Sequence, residues 1–149
     1  VLSLMTADHG MAEVDPQTTI YLNIHPNFKG FERFIKTNRQ GQLLVPAGSA
    51  RDMFLYIKDD LLDEAQSFLT GRLEGQADVV KTEVLIADGY FGPEISQRFR
   101  ECVGNLIILP YLYESVWWYE KGKFEQAFYG HHGGLTRQEM ETILYSYDV

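Results

Sequence analysis

The first eleven residues constrain the fold most, because a mainly apolar run ends there in two polar side chains. Residues 1–5 are mostly apolar, and Asp8, His9 and Gly10 follow shortly after them. We interpret the run as a buried strand, since open α/β sheets place their sites at the carboxyl ends of strands. Gly10 would let the backbone turn sharply beyond the two polar residues.

An Asp beside a His offers one anionic oxygen and one imidazole nitrogen, which together suit zinc or a similar divalent ion. Asp8 and His9 are therefore candidate metal ligands. The alternative is an ordinary turn at a strand end, with a capping Asp and a His satisfied by its neighbours. The tripeptide alone is too short a signal to decide between the two.

A second candidate stretch lies near the other end of the chain, where residues 130–135 read Gly-His-His-Gly-Gly-Leu. Its glycines permit close backbone approach around His131 and His132. Thr136 and Glu139 have the spacing of a capping box, which predicts that a helix begins directly after the histidines. The stretch is either a third source of metal ligands or an exposed turn.

Composition limits the class of protein. The 149 residues are 45% hydrophobic and 23% charged, which is typical of one soluble globular domain. The net charge of -8 argues against a nucleic-acid groove, which needs clustered Lys and Arg. Cys102 is the single cysteine, so no disulfide forms within the chain, and we expect a small buried thiol. No apolar run reaches the roughly 18 residues of a membrane span, and no signal-peptide pattern is present.

The middle of the chain predicts a β-α-β unit. We expect strands at 43–45, 53–57 and 79–86, with a helix between about residues 60 and 73 that packs through Leu62, Phe68 and Leu69. The connection should be right-handed, with its two strands parallel. Residues 46–51 read as a turn wider than a two-residue hairpin. Arg51 in that turn either holds a phosphate or forms a surface salt bridge to Asp52 or another acid.

The remaining segments are expected to be short elements. Residues 18–24 and 106–110 read as strands, the second buried on both faces. Residues 28–36 and 94–103 read as helices, residues 115–129 as a hairpin around Lys121 and Gly122, and 137–145 as a final helix. The simplest organisation has residues 1–19 and 104–149 contributing to a core, with 20–103 inserted as an α+β subdomain. We expect His132 to approach Asp8 and His9, because the apolar runs that lead to both motifs need the same core. Ligands of two metal ions about 4 Å apart would lie within roughly 8 Å of each other.

Taken together, the two candidate stretches resemble a known family. Thr-Ala-Asp-His-Gly-Met at 6–11 and Gly-His-His-Gly-Gly-Leu-Thr-Arg-Gln-Glu-Met at 130–140 are similar to the type I phosphodiesterase/nucleotide pyrophosphatase group of the alkaline phosphatase superfamily. The resemblance extends to Pro-Ala-Gly-Ser-Ala-Arg at 46–51 and to Leu-Pro-Tyr ahead of Val-Trp-Trp-Tyr. It implies an α/β fold: a partial alkaline-phosphatase-like core of strands plus a C-terminal helix, with an inserted ferredoxin-like α+β subdomain.

The resemblance also implies a chemistry. Members hold two divalent metal ions, here expected to be zinc, on either side of a nucleophile, and pass through a covalent phospho-enzyme intermediate. By motif, Asp8 and His9 correspond to ligands of the metal that activates the nucleophile, and His132 to a ligand of the other metal. His131 occupies a more variable place and is not assigned. The implied substrate is a small phosphodiester or a nucleotide.

The resemblance covers only the C-terminal part of such an enzyme. Its nucleophile and its Asp-x-x-x-His ligands would precede residue 1, so no catalytic residue is assigned and the rest of the same domain is the expected partner. We expect the chain alone to be inactive and to bind zinc weakly. Alternatives are a non-catalytic α+β interaction module, or another hydrolase of the superfamily: a phosphatase, sulfatase or phosphonate hydrolase. Localisation and oligomeric state stay open.

Overall fold

A computed structural model describes residues 1–148 as a mixed α/β fold of short elements. The strands, in chain order, are β1 (Leu2–Thr6), β2 (Ala12–Glu13), β3 (Ile20–Tyr21), β4 (Ala47–Ser49), β5 (Asp52–Leu55), β6 (Ala77–Lys81), β7 (Leu106–Pro110), β8 (Val116–Trp117), β9 (Gly130–His131) and β10 (Leu144–Asp148). The helices are α1 (Leu62–Arg72), α2 (Thr82–Ala87), α3 (Gln97–Cys102) and α4 (Arg137–Met140). Short 3₁₀ turns occur at Pro16–Thr18, Pro26–Phe28, Phe31–Phe34 and Asp59–Leu61. Across these residues, no helix combines the length and apolar character needed to cross a membrane.

The main sheet has four strands in the order β4-β5-β7-β6, and every neighbouring pair is antiparallel. Because β7 lies between them, β5 and β6 run parallel without touching, and α1 connects them. This confirms that both strands of the predicted β-α-β unit belong to one sheet. β7 begins after the predicted boundary at residue 103 and is buried along most of its length, as its apolar run predicts. Val149, the last residue of the predicted core contribution, lies outside the described residues.

The core forms where α1 covers one face of this sheet. Ala65, Leu69 and Leu73 recur every four residues, so they share one side of the helix and are fully buried. Met53 and Leu106 of the sheet belong to the same cluster. Full burial of one such Leu is worth about 1.5–3 kcal/mol. The predicted packing is confirmed at Leu69, while Leu62 and Phe68 are partly buried against the same core.

The strand predicted at 79–86 ends early, and its second half is helix α2. Thr82 and Leu85 are buried, but Val84 between them is exposed. A strand would instead place residues 82 and 84 on the same face. Leu85 packs with Phe54 and Val103 on the far side of the sheet, so the helical spacing fills a second, smaller core.

The turn before β5 is tighter than predicted. Ser49 pairs with Asp52 across the hairpin, which leaves Ala50 and Arg51 as a two-residue turn. We predicted that the strand before this turn would end at Val45. It instead begins at Ala47, so fewer residues are left for the turn. The Ser49 amide donates to Oδ1 of Asp52 at 2.8 Å and closes the turn.

Two predicted helices are shorter in the structure. In the 28–36 segment, Gly30 has a φ of 87° and interrupts the helix, leaving two 3₁₀ turns. The apolar side chains of this segment are buried as predicted: Phe28, Phe31, Phe34 and Ile35. In the 94–103 segment, α3 begins after Ser96, whose hydroxyl accepts the Phe99 amide at 3.1 Å. Cys102 is exposed, so the predicted buried thiol is wrong.

The expectations around β3 and β8 also need correction. The strand predicted at 18–24 is reduced to Ile20 and Tyr21, which pair parallel with Val116 and Trp117. The hairpin predicted for residues 115–129 is therefore wrong, because β8 takes its partner from the first part of the chain. Trp117 is buried and Trp118 is half-buried.

The two ends of the described chain form a ribbon of β1 and β10. They pair antiparallel from Leu2 with Asp148 to Thr6 with Leu144. The first strand is thus confirmed, but its predicted burial is wrong, because Leu2 and Leu4 are more than 60% exposed. The final helix ends at Met140, and the residues from Leu144 to Asp148 satisfy their backbone groups by pairing with β1.

Candidate functional site

The two histidine motifs meet in space. The rings of His9 and His132 are stacked, with centroids 3.9 Å apart and planes inclined by 18°. His9 follows β1, and His132 follows β9 directly. The short pairing of β2 with β9, which matches Ala12 with His131, brings the two loops together. The predicted approach of His132 to His9 is confirmed for these two rings.

The contacts of His9 leave one of its two ring nitrogens available as a ligand, close to Asp8. Nδ1 of His9 lies 2.6 Å from the carbonyl oxygen of Gly10. A carbonyl only accepts hydrogen bonds, so Nδ1 carries the proton and a neutral ring keeps its lone pair on Nε2. That Nε2 lies 3.7 Å from Oδ1 of Asp8, whose side chain is almost fully exposed. Asp8 and His9 thus present an oxygen and a nitrogen near each other.

These groups do not amount to a complete metal site. Within residues 1–148, no group of three or more His, Cys, Asp or Glu side chains is close enough to hold a metal ion. Zinc sites use three or four protein ligands. Asp8, His9 and His132 fit the donor types that zinc prefers, and their role as ligands stays a prediction.

Gly10 is needed for a close approach. Its amide donates to the carbonyl oxygen of Glu139 at 2.8 Å, which ties the His9 loop to α4. A Cβ at this position would lie 1.9 Å from the carbonyl oxygen of Gln138, far inside contact distance. Any other residue would push the loop away from α4.

Sequence reasoning missed a buried ion pair beside the histidines. Arg51 and Glu139 are both almost completely inaccessible to solvent. Nε of Arg51 donates to Oε1 of Glu139 at 2.9 Å, and Nη2 donates to Oε2 at 2.8 Å. Because Arg51 points inward, the phosphate contact that the sequence left open is excluded. The salt bridge exists, but it is buried and pairs with Glu139 in place of Asp52.

The Glu139 carboxylate has further donors. It accepts the Gly134 amide at 3.0 Å and the Thr136 hydroxyl at 2.6 Å. Burial alone would raise the pKa of Glu139, but the hydrogen bonds from Arg51, Thr136 and Gly134 outweigh it and hold the pKa below its usual value. Thr136 precedes α4 as predicted. Within the described residues, the capping-box contacts are absent where α4 begins, because the Thr136 hydroxyl donates to the Glu139 carboxylate instead.

Asp52 supports the His132 loop from the other side. Ser49 donates its amide to Asp52 and its hydroxyl lies 3.2 Å from the His132 carbonyl oxygen. A Cβ at Gly133 would lie 2.9 Å from both of these side chains, so the β4–β5 turn packs directly on the loop. Burial raises the pKa of Asp52, the hydrogen bonds from Ser49 oppose this, and the Glu139 charge adds to it.

Comparison with known proteins gives a likeness in structure only. No model of a protein family matches the sequence, and no curated protein matches it. Among solved structures, murine ectonucleotide pyrophosphatase/phosphodiesterase 5 matches 99% of this chain with a TM-score of 0.58 and 17% identity. Phosphonoacetate hydrolase from Sinorhizobium meliloti, in complex with phosphonoformate, matches 97% with a TM-score of 0.61 and 18% identity. An inactive variant of the murine protein in complex with AMP matches similarly, with a TM-score of 0.57.

The chain spans about a third of the length of these proteins, 34% of the murine enzyme and 36% of the bacterial one. At such identities the likeness shows the fold alone. The fold is a mixed α/β arrangement that matches part of the alkaline-phosphatase-like fold, which confirms the predicted fold class.

Proposed function

We propose that this chain forms part of a metal-dependent phosphodiesterase or nucleotide pyrophosphatase and carries three ligands for two divalent metal ions. Asp8 and His9 would bind one ion and His132 the other. The observation that carries the proposal is the stacking of His9 on His132, at 3.9 Å between ring centroids. Two motifs more than a hundred residues apart in the sequence thus place Asp and His donors at one point on the surface.

The details of the site suit this role. The Gly10 carbonyl oxygen fixes Nδ1 of His9, which orients the ring and leaves Nε2 for a metal. The exposed Asp8 carboxylate adds the negative charge that a divalent ion needs. When bound, two such ions would neutralise a phosphoryl group and activate a nucleophile supplied by the rest of the enzyme. The likeness of the fold to a phosphodiesterase supports the same reaction class.

A phosphonate hydrolase is the second candidate. The observation in its favour is that the fold also matches part of phosphonoacetate hydrolase, with a TM-score of 0.61. Both reactions suit the same pair of ions, so the substrate must decide between them. Assays of the complete enzyme with bis(p-nitrophenyl) phosphate and with phosphonoacetate would separate the two.

A zinc titration of the 149-residue chain, followed by NMR, tests the ligand assignment. We expect weak binding that shifts the ring signals of His9 and His132 and leaves those of His25 and His131 unchanged. Asp8→Asn should weaken the shift at His9, and His25→Ala is the matched control. Equal shifts at the four histidines would contradict the assignment and favour a non-catalytic module.

In the complete enzyme, Asp8→Ala or His132→Ala should abolish hydrolysis of the preferred substrate without changing the melting temperature. The 149-residue chain alone should not hydrolyse either substrate. Metal-dependent turnover by this chain alone would show that a nucleophile lies within it, contrary to the proposal.

A further inference from the structure

We infer that the buried Arg51–Glu139 pair is a positioning clamp that sets the arrangement of His9 and His132. The inference rests on the proposed function only where it concerns metal binding. Its geometric part concerns the two rings themselves and is testable without a metal. Both side chains are almost completely inaccessible to solvent, so both act through the loops they hold.

One side of the clamp is fixed by the main sheet. Arg51 lies in the two-residue turn between β4 and β5, and its Nη1 donates to the carbonyl oxygens of Tyr111 and Glu114. Tyr111 directly follows β7, the strand that pairs with β5. The guanidinium is therefore anchored to the sheet at several points before it reaches Glu139, and its planar fork fixes where the carboxylate must lie.

The other side of the clamp is the Glu139 carboxylate, which accepts four hydrogen bonds. Oε1 of Glu139 accepts from Arg51 and from the Gly134 amide, while Oε2 accepts from Arg51 and from the Thr136 hydroxyl. A carboxylate offers about four acceptor positions, so all of them are in use. Glu139 has little freedom to move without breaking a buried hydrogen bond.

Glu139 holds both histidine loops at once. Its side chain binds the amide of Gly134, two residues after His132. Its backbone carbonyl oxygen accepts the amide of Gly10, the residue after His9. The position of this one residue, fixed by Arg51, thus constrains where both loops lie, in addition to the β2–β9 pairing that joins them.

The pair can be removed without leaving a buried charge. Breaking a buried ion pair from one side strands the other charge, whereas apolar replacement of both partners is often tolerated. The test is therefore the double variant Arg51→Met/Glu139→Leu in the 149-residue chain. The control is Arg137→Met/Glu141→Leu, which removes an exposed ion pair between the first residue of α4 and the residue directly after it.

The readout is metal-free NMR. We expect the folded double variant to lose the nuclear Overhauser contact between the rings of His9 and His132, and its Gly134 amide to exchange about tenfold faster. The control should keep both signals. Zinc affinity should fall by about tenfold or more only in the clamp variant. A folded double variant with an unchanged ring contact would overturn the inference and leave the pair a purely structural one.

If the double variant does not fold, Arg51→Lys replaces it, since this change keeps the buried charge and removes the planar fork. A weakened ring contact supports the clamp, and an unchanged one contradicts it. The ring contact and the place where zinc binds together separate the clamp from the proposed function. If wild-type chain shows the ring contact and the clamp dependence but binds zinc nowhere near these rings, the proposed function fails and the clamp stands.

Discussion

The four-stranded sheet and the β1–β10 ribbon use similar apolar residues but leave them in different environments. Met53 and Leu55 on β5 are at most 1% exposed, whereas Leu2 and Leu4 on β1 are more than 60% exposed. The difference is the presence of a second layer: α1 covers the sheet, and over residues 1–148 the ribbon has no comparable cover. Hydrophobic sequence makes a strand, but burial needs a partner surface.

The comparison bears on the candidate site. His9 follows the ribbon strand β1, which by itself has little packing to fix its position. Beyond the short β2–β9 pairing, the contacts that position the histidines come from α4 and from the β4–β5 turn, through Glu139 and Arg51. Large exposed apolar areas mark interaction surfaces. Under the proposed function, the rest of the hydrolase domain would cover this ribbon.

The largest expected effect is in the sheet region. Leu69→Ala should lower the free energy of unfolding by about 2–5 kcal/mol, because Leu69 is fully buried against the sheet. Leu4→Ala on the ribbon should change it by less than about 0.5 kcal/mol. Urea denaturation of both variants measures the contrast. Similar losses at the two positions would mean that the ribbon is buried in solution and that the comparison fails.

The next effect concerns the junction between the regions. Gly10→Ala should destabilise the chain by about 1–3 kcal/mol, because the new Cβ would collide with the Gln138 carbonyl oxygen. It should also weaken the ring contact between His9 and His132, since the His9 loop must move away from α4. Denaturation and NMR together measure this. A variant with unchanged stability and an unchanged ring contact would show that the loop is held some other way.

The sequence predicted the elements whose signals are local. The four-residue spacing of Ala65, Leu69 and Leu73 shows α1, and the apolar run at β7 shows a buried strand. The meeting of His9 with His132 was predicted because the apolar runs that lead to the two motifs need the same core.

The missed features depend on long-range partners. Arg51 and Glu139 are 88 residues apart, and no local pattern pairs them. The spacing of Thr136 and Glu139 predicted a capping box. The Glu139 carboxylate that such a box uses is instead bound by Arg51, which is far away in the sequence. Strand β10 forms because β1 lies beside it, which the helical reading of residues 137–145 did not take into account.

Two carboxylates beside the histidine loops, the buried Glu139 and the half-buried Asp52, should respond to pH with opposite signs. The pKa of Glu139 is lowered by folding, so its stabilisation is present above its ordinary value of 4.5 and is lost as the pH falls through the folded value. The pKa of Asp52 is raised, so its contribution is lost as the pH rises above 3.8. Glu139→Gln should flatten the loss of stability in acid, and Asp52→Asn should steepen it. Urea denaturation across the acid range measures both, and equal slopes would contradict the assigned environments.

The smallest effect should be a gain, confined to the sheet region. Gly71 lies near the end of α1, and a Cβ there would meet nothing within 4 Å. Alanine restricts the unfolded chain and favours the helix, so Gly71→Ala should stabilise the chain by about 0.5–1 kcal/mol. It is also the matched control for Gly10→Ala, because both add one methyl group to a glycine. The ring contact of His9 and His132 should stay unchanged, as α1 packs on the sheet and the clamp reaches the histidines through the β4–β5 turn and α4. A Gly71→Ala variant that altered that contact would show that the two regions are coupled more tightly than their packing indicates.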